Sequence, residues 1–212
     1  AVAILASHVD GKSALGIDKE WPARFLLPLM ERNPDSRYIV ASDCVDHARA
    51  CKDEAERELM RAASRINDTV MERAAAFLQE GITEREVADY IISQYAAEGC
   101  DAVAFQPIVS FGAHAADPHH EADQTRLKAG DCIVIDMGCR KDRYCSDMTR
   151  TIALGYVSEK MDKVYHTVLE AQLAGIAATK AGVTGKEMDA AARNVINAAG
   201  FEGLFGHSYG HS

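Results

Sequence analysis

No two cysteines in this sequence are spaced as a CxxC pair, although six are present: Cys44, Cys51, Cys100, Cys132, Cys139 and Cys145. In a chain of 212 residues that pattern excludes a dense disulfide framework and gives no thiolate zinc spacing. It predicts reduced thiols, with Cys132, Cys139 and Cys145 acting as small core residues, and a cytoplasmic protein. No apolar run approaches the roughly 20 residues that cross a bilayer, so no membrane partner is expected. The opening AVAILASHVDGK lacks the basic start of a signal peptide and reads as a core strand. No block of Lys or Arg relieves the net charge of −9, which leaves nucleic acid without an electrostatic basis as a partner. The Gly11-Lys12-Ser13 triplet lacks the earlier glycine of a phosphate loop, since Ala6 stands there; it reads as a surface turn.

What is present is ordinary globular material, 48% hydrophobic and 26% charged. Residues 1 to about 45 alternate apolar runs with turn signals, predicting strand, helix and strand in a small α/β unit. From Asp53 an amphipathic helix is expected, with Leu59, Ala63, Ile66, Val70, Ala74 and Leu78 on one stripe and Gly81 at its end. Thr83 and Glu86 form a capping box for a second helix that stops near Gly99. The same grammar returns: a third helix with the stripe Met161, Val164, Val168, Leu169, Leu173 and Ile176, then Gly182, then a capping box at Thr184 and Glu187, and a fourth helix closed by Gly200. Thr83 and Thr184, and Gly99 and Gly200, are both 101 positions apart, so the chain contains an internal repeat of half-domain size. In the first copy the helices lead into FQPIVSFG, a His-rich segment and a hairpin; the second copy reaches Ser212, the equivalent of Phe111, without them. The chain is therefore expected to be a piece truncated at both ends.

The hairpin, CIVIDMGCRKDRYCSDMTRTIALG at 132–155, carries Asp136 and Asp147 among apolar residues. A turn centred between Lys141 and Asp142 makes the two aspartates direct cross-strand partners, with Cβ atoms roughly 5 Å apart. Two ionised carboxylates that close repel, so the hairpin either shares a proton or holds a cation. Asp142 reads as a turn former. Histidines are available to join the carboxylates: His207 and His211 in FGHSYGHS, and His119 and His120 in ADPHHEAD. Aspartate oxygens alone suit Mg²⁺ or Mn²⁺, and with histidine Zn²⁺, Co²⁺ or Mn²⁺.

The segments VIDMG…YCSDMTRT, AADPHH and FGHSYGHS together resemble the creatinase/aminopeptidase P/prolidase group of the methionine aminopeptidase-like (M24) metallopeptidases, over about residues 53–212. The resemblance implies an α+β pita-bread fold: two pseudo-twofold halves, each of helices plus an antiparallel hairpin, the second incomplete here. Residues 1–50 then correspond to the end of a small N-terminal domain and 53–212 to the catalytic domain. It implies two divalent metal ions, Mn²⁺ before Co²⁺ or Zn²⁺, with Asp136, Asp147 and His211 as ligands and two glutamates and a further catalytic histidine beyond Ser212. With three of five ligands, the chain alone is expected to be inactive. His119, after Pro118, falls at the histidine that contacts the scissile region, His120 being the weaker match, and His207 falls near the substrate. The implied activity is hydrolysis of Xaa-Pro peptide bonds by a metal-activated water, in a protein that is a homodimer when complete. Two other readings share the fold: a metal-free creatinase-like C–N hydrolase, and a binding module without catalysis.

Overall fold

The computed structural model describes residues 1–211. The chain divides into two compact units, residues 1–58 and 59–212. In the first, α1 (Val2–Ser7), β1 (Ala14–Ile17), α2 (Ala23–Arg32), β2 (Arg37–Val40) and α3 (Ser42–Ala50) follow one another. β1 and β2 pair in parallel, with Ala14 opposite Arg37 and Ile17 opposite Val40. The opening apolar run is α1, a helix with no buried residue, and not the expected core strand. A short uninterrupted apolar run has no periodicity to separate the two, and its three alanines favour helix.

The second unit is built on a long helix, α4 (Glu54–Phe77), followed by α5 (Glu84–Ala97). Val70 and Ala74 of α4 and Val87, Ile91 and Tyr95 of α5 are buried in one apolar cluster. Glu86 N–H donates to Thr83 Oγ1 at 3.1 Å while Glu86 Oε2 accepts from Thr83 N–H at 2.8 Å, the reciprocal capping box. The other early amides of α5 are satisfied from further along the chain. Glu84 N–H donates to Thr125 O and Arg85 N–H to Asp123 O, so the 111–127 segment is laced to the helix start.

That segment runs between neighbouring strands in one of two small sheets. β3 (Ala102–Val103) pairs with β6 (Cys139–Lys141), which pairs with β7 (Tyr144–Cys145); β5 (Cys132–Met137) lies between β4 (Ile108–Phe111) and β8 (Met148–Ala153), all antiparallel. Ile133, Ile135 and Met137 point from β5 into the core; Asp136 and Val134 belong to the opposite face. Asp142 and Arg143, both with positive φ (49° and 71°), form the turn of the hairpin. Of the three hairpin cysteines, Cys132 and Cys139 are buried, but Cys145 is exposed, contrary to expectation, because it stands on short β7 near that turn.

α6 (Glu159–Ala178) and α7 (Gly185–Ala198) repeat the design, with a second complete capping box at Thr184 and Glu187. α5 and α7 start 101 residues apart and end 101 residues apart, as do the ends of α4 and α6. The expected stripe of α6 is not its buried one. Thr167, Ala171 and Gly175 are buried, whereas Val168, Leu169, Leu173 and Ile176 are exposed. The reason is close approach: the contact cluster uses small residues, Ala171 with Ala192 and Ile196 of α7, and a Cβ on Gly175 would lie 2.3 Å from the ring of Tyr209.

Candidate metal and catalytic site

Asp136 sits on the face of the β4–β5–β8 sheet that turns away from the core. Its strand partner is Thr149, not Asp147. The register runs through Met137 opposite Met148 and Lys141 opposite Tyr144, so the turn pivots one residue later than the sequence suggested and every pairing shifts by two positions. Left-handed backbone at Asp142 and Arg143 sets this pivot; Asp142 is a turn former, but nothing in Arg143 announces it. A shift of two preserves the face, because side chains alternate with period two. Asp147 is thereby the diagonal neighbour of Asp136, on the same side, just before β8 begins.

The surroundings hold these groups under electrostatic tension. Burial pushes the Asp136 carboxyl above the usual carboxylate range, and the charge of Asp147 adds to the push. Thr149 Oγ1 donates to Asp136 Oδ1 at 2.9 Å and opposes it. His211 approaches Asp147, its Nε2 lying 3.6 Å from Asp147 Oδ2. The backbone beneath is fixed by Asn67, whose Nδ2 donates to Met137 O at 3.1 Å and whose Oδ1 accepts from Tyr95 O–H. Asp136, Asp147 and His211 are thus brought together from three stretches of chain.

His207 and His119 stand apart from that trio. His207 is exposed, its ring edge-on to Phe205 with centroids 4.9 Å apart. Its segment is pinned to α7. Arg193, paired with Asp189, donates to the carbonyls of Phe205 and His207 at 2.8 Å each, and Asp189 accepts from Tyr209 N–H. His119 is exposed, and its imidazole has no hydrogen-bond partner among the described residues.

Beside His119 lies a cluster the sequence reading missed. Glu84, in the first turn of α5, has a fully buried side chain. Its Oε1 accepts from Phe111 N–H at 2.8 Å and lies 2.9 Å from His114 Nδ1; its Oε2 lies 2.7 Å from His120 Nε2 and accepts from Asp123 N–H at 3.1 Å. The rings of His114 and His120 lie against each other, tilted by 35° with centroids 4.1 Å apart. The hydrogen bond to Glu84 raises the pKa of His114. Asp123, bonded to Thr125, is held down to about 2. Donor atoms of Glu84, His114, His120 and Asp123 all lie within 4.8 Å of one another. Nothing in the local sequence singles out Glu84, which reads as one more acid in a helix's first turn.

The model of metallopeptidase family M24 matches residues 58–212. An Xaa-Pro dipeptidase of Pyrococcus horikoshii is 35% identical over 203 residues, which is 96% of this chain and 58% of that protein. The crystal structure of the prolidase from Pyrococcus horikoshii OT3 superposes with a TM-score of 0.93 at 33% identity, covering 98% of this chain and 60% of that one. An Xaa-Pro dipeptidase from Bacillus anthracis gives a TM-score of 0.91, also at 33% identity, over 98% and 59% of the two chains. The chain therefore spans somewhat under two thirds of the relatives it matches, and its fold is theirs: the pita-bread arrangement, with its helix pairs repeated. Taken together, the matched residues and the shared architecture establish that this chain belongs to metallopeptidase family M24.

Proposed function

We propose that the chain is part of the catalytic domain of a cytoplasmic, divalent-metal-dependent peptidase that hydrolyses Xaa-Pro bonds, and that Asp136, Asp147 and His211 are its metal ligands. The observation that carries this reading is the gathering of those three groups on one sheet face. Their chemistry fits a cation. Two acidic groups are diagonal neighbours on the sheet, with one raised in pKa by burial and by its neighbour, and an imidazole lies beside the other. Two carboxylates with one imidazole suit Mn²⁺, Co²⁺ or Zn²⁺, and two Mn²⁺ ions are the proposed complement, with further ligands from glutamates beyond this chain. When bound, such ions supply a water of lowered pKa and a Lewis acid for a peptide carbonyl.

The chain's own residues do the rest. Thr149 fixes the orientation of Asp136, as outer hydrogen bonds do for metal-binding carboxylates. His119, exposed and with no imidazole partner among the described residues, is the proposed donor to the carbonyl oxygen of the scissile bond as negative charge develops there. His207 lines the substrate side, steadied through Arg193. An Xaa-Pro bond has no amide N–H, so recognition rests on the ring and the carbonyl and needs no acceptor for that missing proton. The assembly is proposed to be a homodimer. In the complete protein, Asp136→Ala is expected to abolish cleavage of an Xaa-Pro dipeptide, and EDTA to do the same reversibly. Turnover that survives both treatments would refute the reading and favour metal-free C–N hydrolysis.

A further inference from the structure

We propose that Glu84 is a positioning residue that clamps the His119 segment through His114 and His120. One carboxylate touches four points along Phe111–Asp123: the amide of Phe111, the ring of His114, the ring of His120 and the amide of Asp123. A carboxylate offers about four lone-pair directions, so each is used once and all four partners are donors. This fixes His114 as the Nδ1–H tautomer or the imidazolium, and His120 likewise at Nε2. Because Glu84 is buried without exposure and rooted in α5, the segment is tied to a rigid helix. His119 lies between the third tie and the Asx-type bond of its own amide to Asp117, so the backbone that carries its exposed ring is held from both sides. The consequence for catalysis rests on the role given to His119 above; the clamp itself does not.

The side chains of Glu84, His114 and His120, with that of Asp123, have the composition of a zinc site, and the two readings make opposite demands. A clamp needs N–H donors at the Nδ1 position of residue 114 and the Nε2 position of residue 120. Asparagine places an amide N–H₂ at the first and glutamine at the second. A metal needs imidazole lone pairs, which neither amide supplies. Hydrogen exchange of residues 112–123, followed by mass spectrometry on the 212-residue protein, separates them. His120→Ala is expected to speed exchange about tenfold or more, and His120→Gln to restore the wild-type rate. His114→Ala and His114→Asn should behave as the matching pair. In the complete enzyme, His120→Ala should lower kcat while leaving metal content unchanged, with rescue by glutamine. Exchange in His120→Gln as fast as in His120→Ala overturns the proposal. So does wild-type exchange in His120→Ala, or one-to-one zinc uptake that His120→Gln abolishes. A complete protein without peptidase activity would refute the function above and leave the exchange result to decide the clamp.

Discussion

Tyr95 is the residue whose removal should be felt most for its size. Its hydroxyl is buried, with its pKa pushed up chiefly by that burial, and it donates to Asn67, itself fully buried. Tyr95→Phe keeps the ring and strands Asn67 Oδ1 without a donor. Leaving such an atom unsatisfied costs about 1–3 kcal/mol, and chemical denaturation should show it as a lower midpoint at constant slope. A second effect belongs to His114. Folding raises its pKa above 6.5, through the Glu84 hydrogen bond first, with the charges of Glu84, Asp123 and Asp117 assisting and the ring of His120 lying against it. Protonation therefore favours the folded form: the contribution is complete below the unfolded value and is lost as pH rises through the raised one. His114→Asn keeps the bond without titrating, so the melting temperature of the native protein should decline more steeply than the variant's as pH rises above 6.5. Parallel curves would show that His114 is not the titrating group.

At the scale of elements, the hairpin is governed by close contacts that only a backbone reveals. A Cβ on Gly138 would stand 2.1 Å from the carbonyl oxygen of Ser146 and 2.9 Å from the ring of Phe105. The ring could rotate; the opposing backbone could not move without parting β6 from β7. Gly138→Ala should cost about 1–3 kcal/mol, as overpacking does, and should speed exchange at the Cys139 amide, which bonds Ser146 Oγ. The glycines and threonines that start and stop α5 and α7 were legible, because capping is local chemistry written within four residues. Asp136 and Asp147 were legible as a pair for a less secure reason. The predicted turn was misplaced, yet the resulting shift was even and kept both carboxylates on one face. A shift of one position would have separated them. Glu84 was not legible, since its four partners lie 27 to 39 residues away and only the folded loop brings them in. The exposed stripe of α6 was misread because periodicity marks an apolar face without saying whether it is covered, or whether Ala171 and Gly175 make the nearer contact.

For the whole molecule, the exposed apolar residues of α6 set behaviour in solution. Val168, Leu173 and Ile176 are each more than half exposed, in a protein whose net charge of −9 otherwise favours dispersal. The 212-residue protein should self-associate through this face. Leu173→Lys combined with Ile176→Lys should shift its sedimentation toward the monomer without lowering its melting temperature, since neither side chain is packed. Unchanged association in that variant would place the contact elsewhere. The apolar interior is also unevenly distributed along the chain. All the buried members of the larger cluster fall between Ala63 and Cys139, with Met148, Ile152 and Leu154 packed against them, while α6 and α7 share only a small cluster of their own. On a translating ribosome, where residues emerge at about 5–20 per second, the first half is therefore self-sufficient once Leu154 clears the exit tunnel. The nascent chain has its aspartate face assembled before the codon for His211 is read, so the imidazole proposed to join it arrives at a surface already formed.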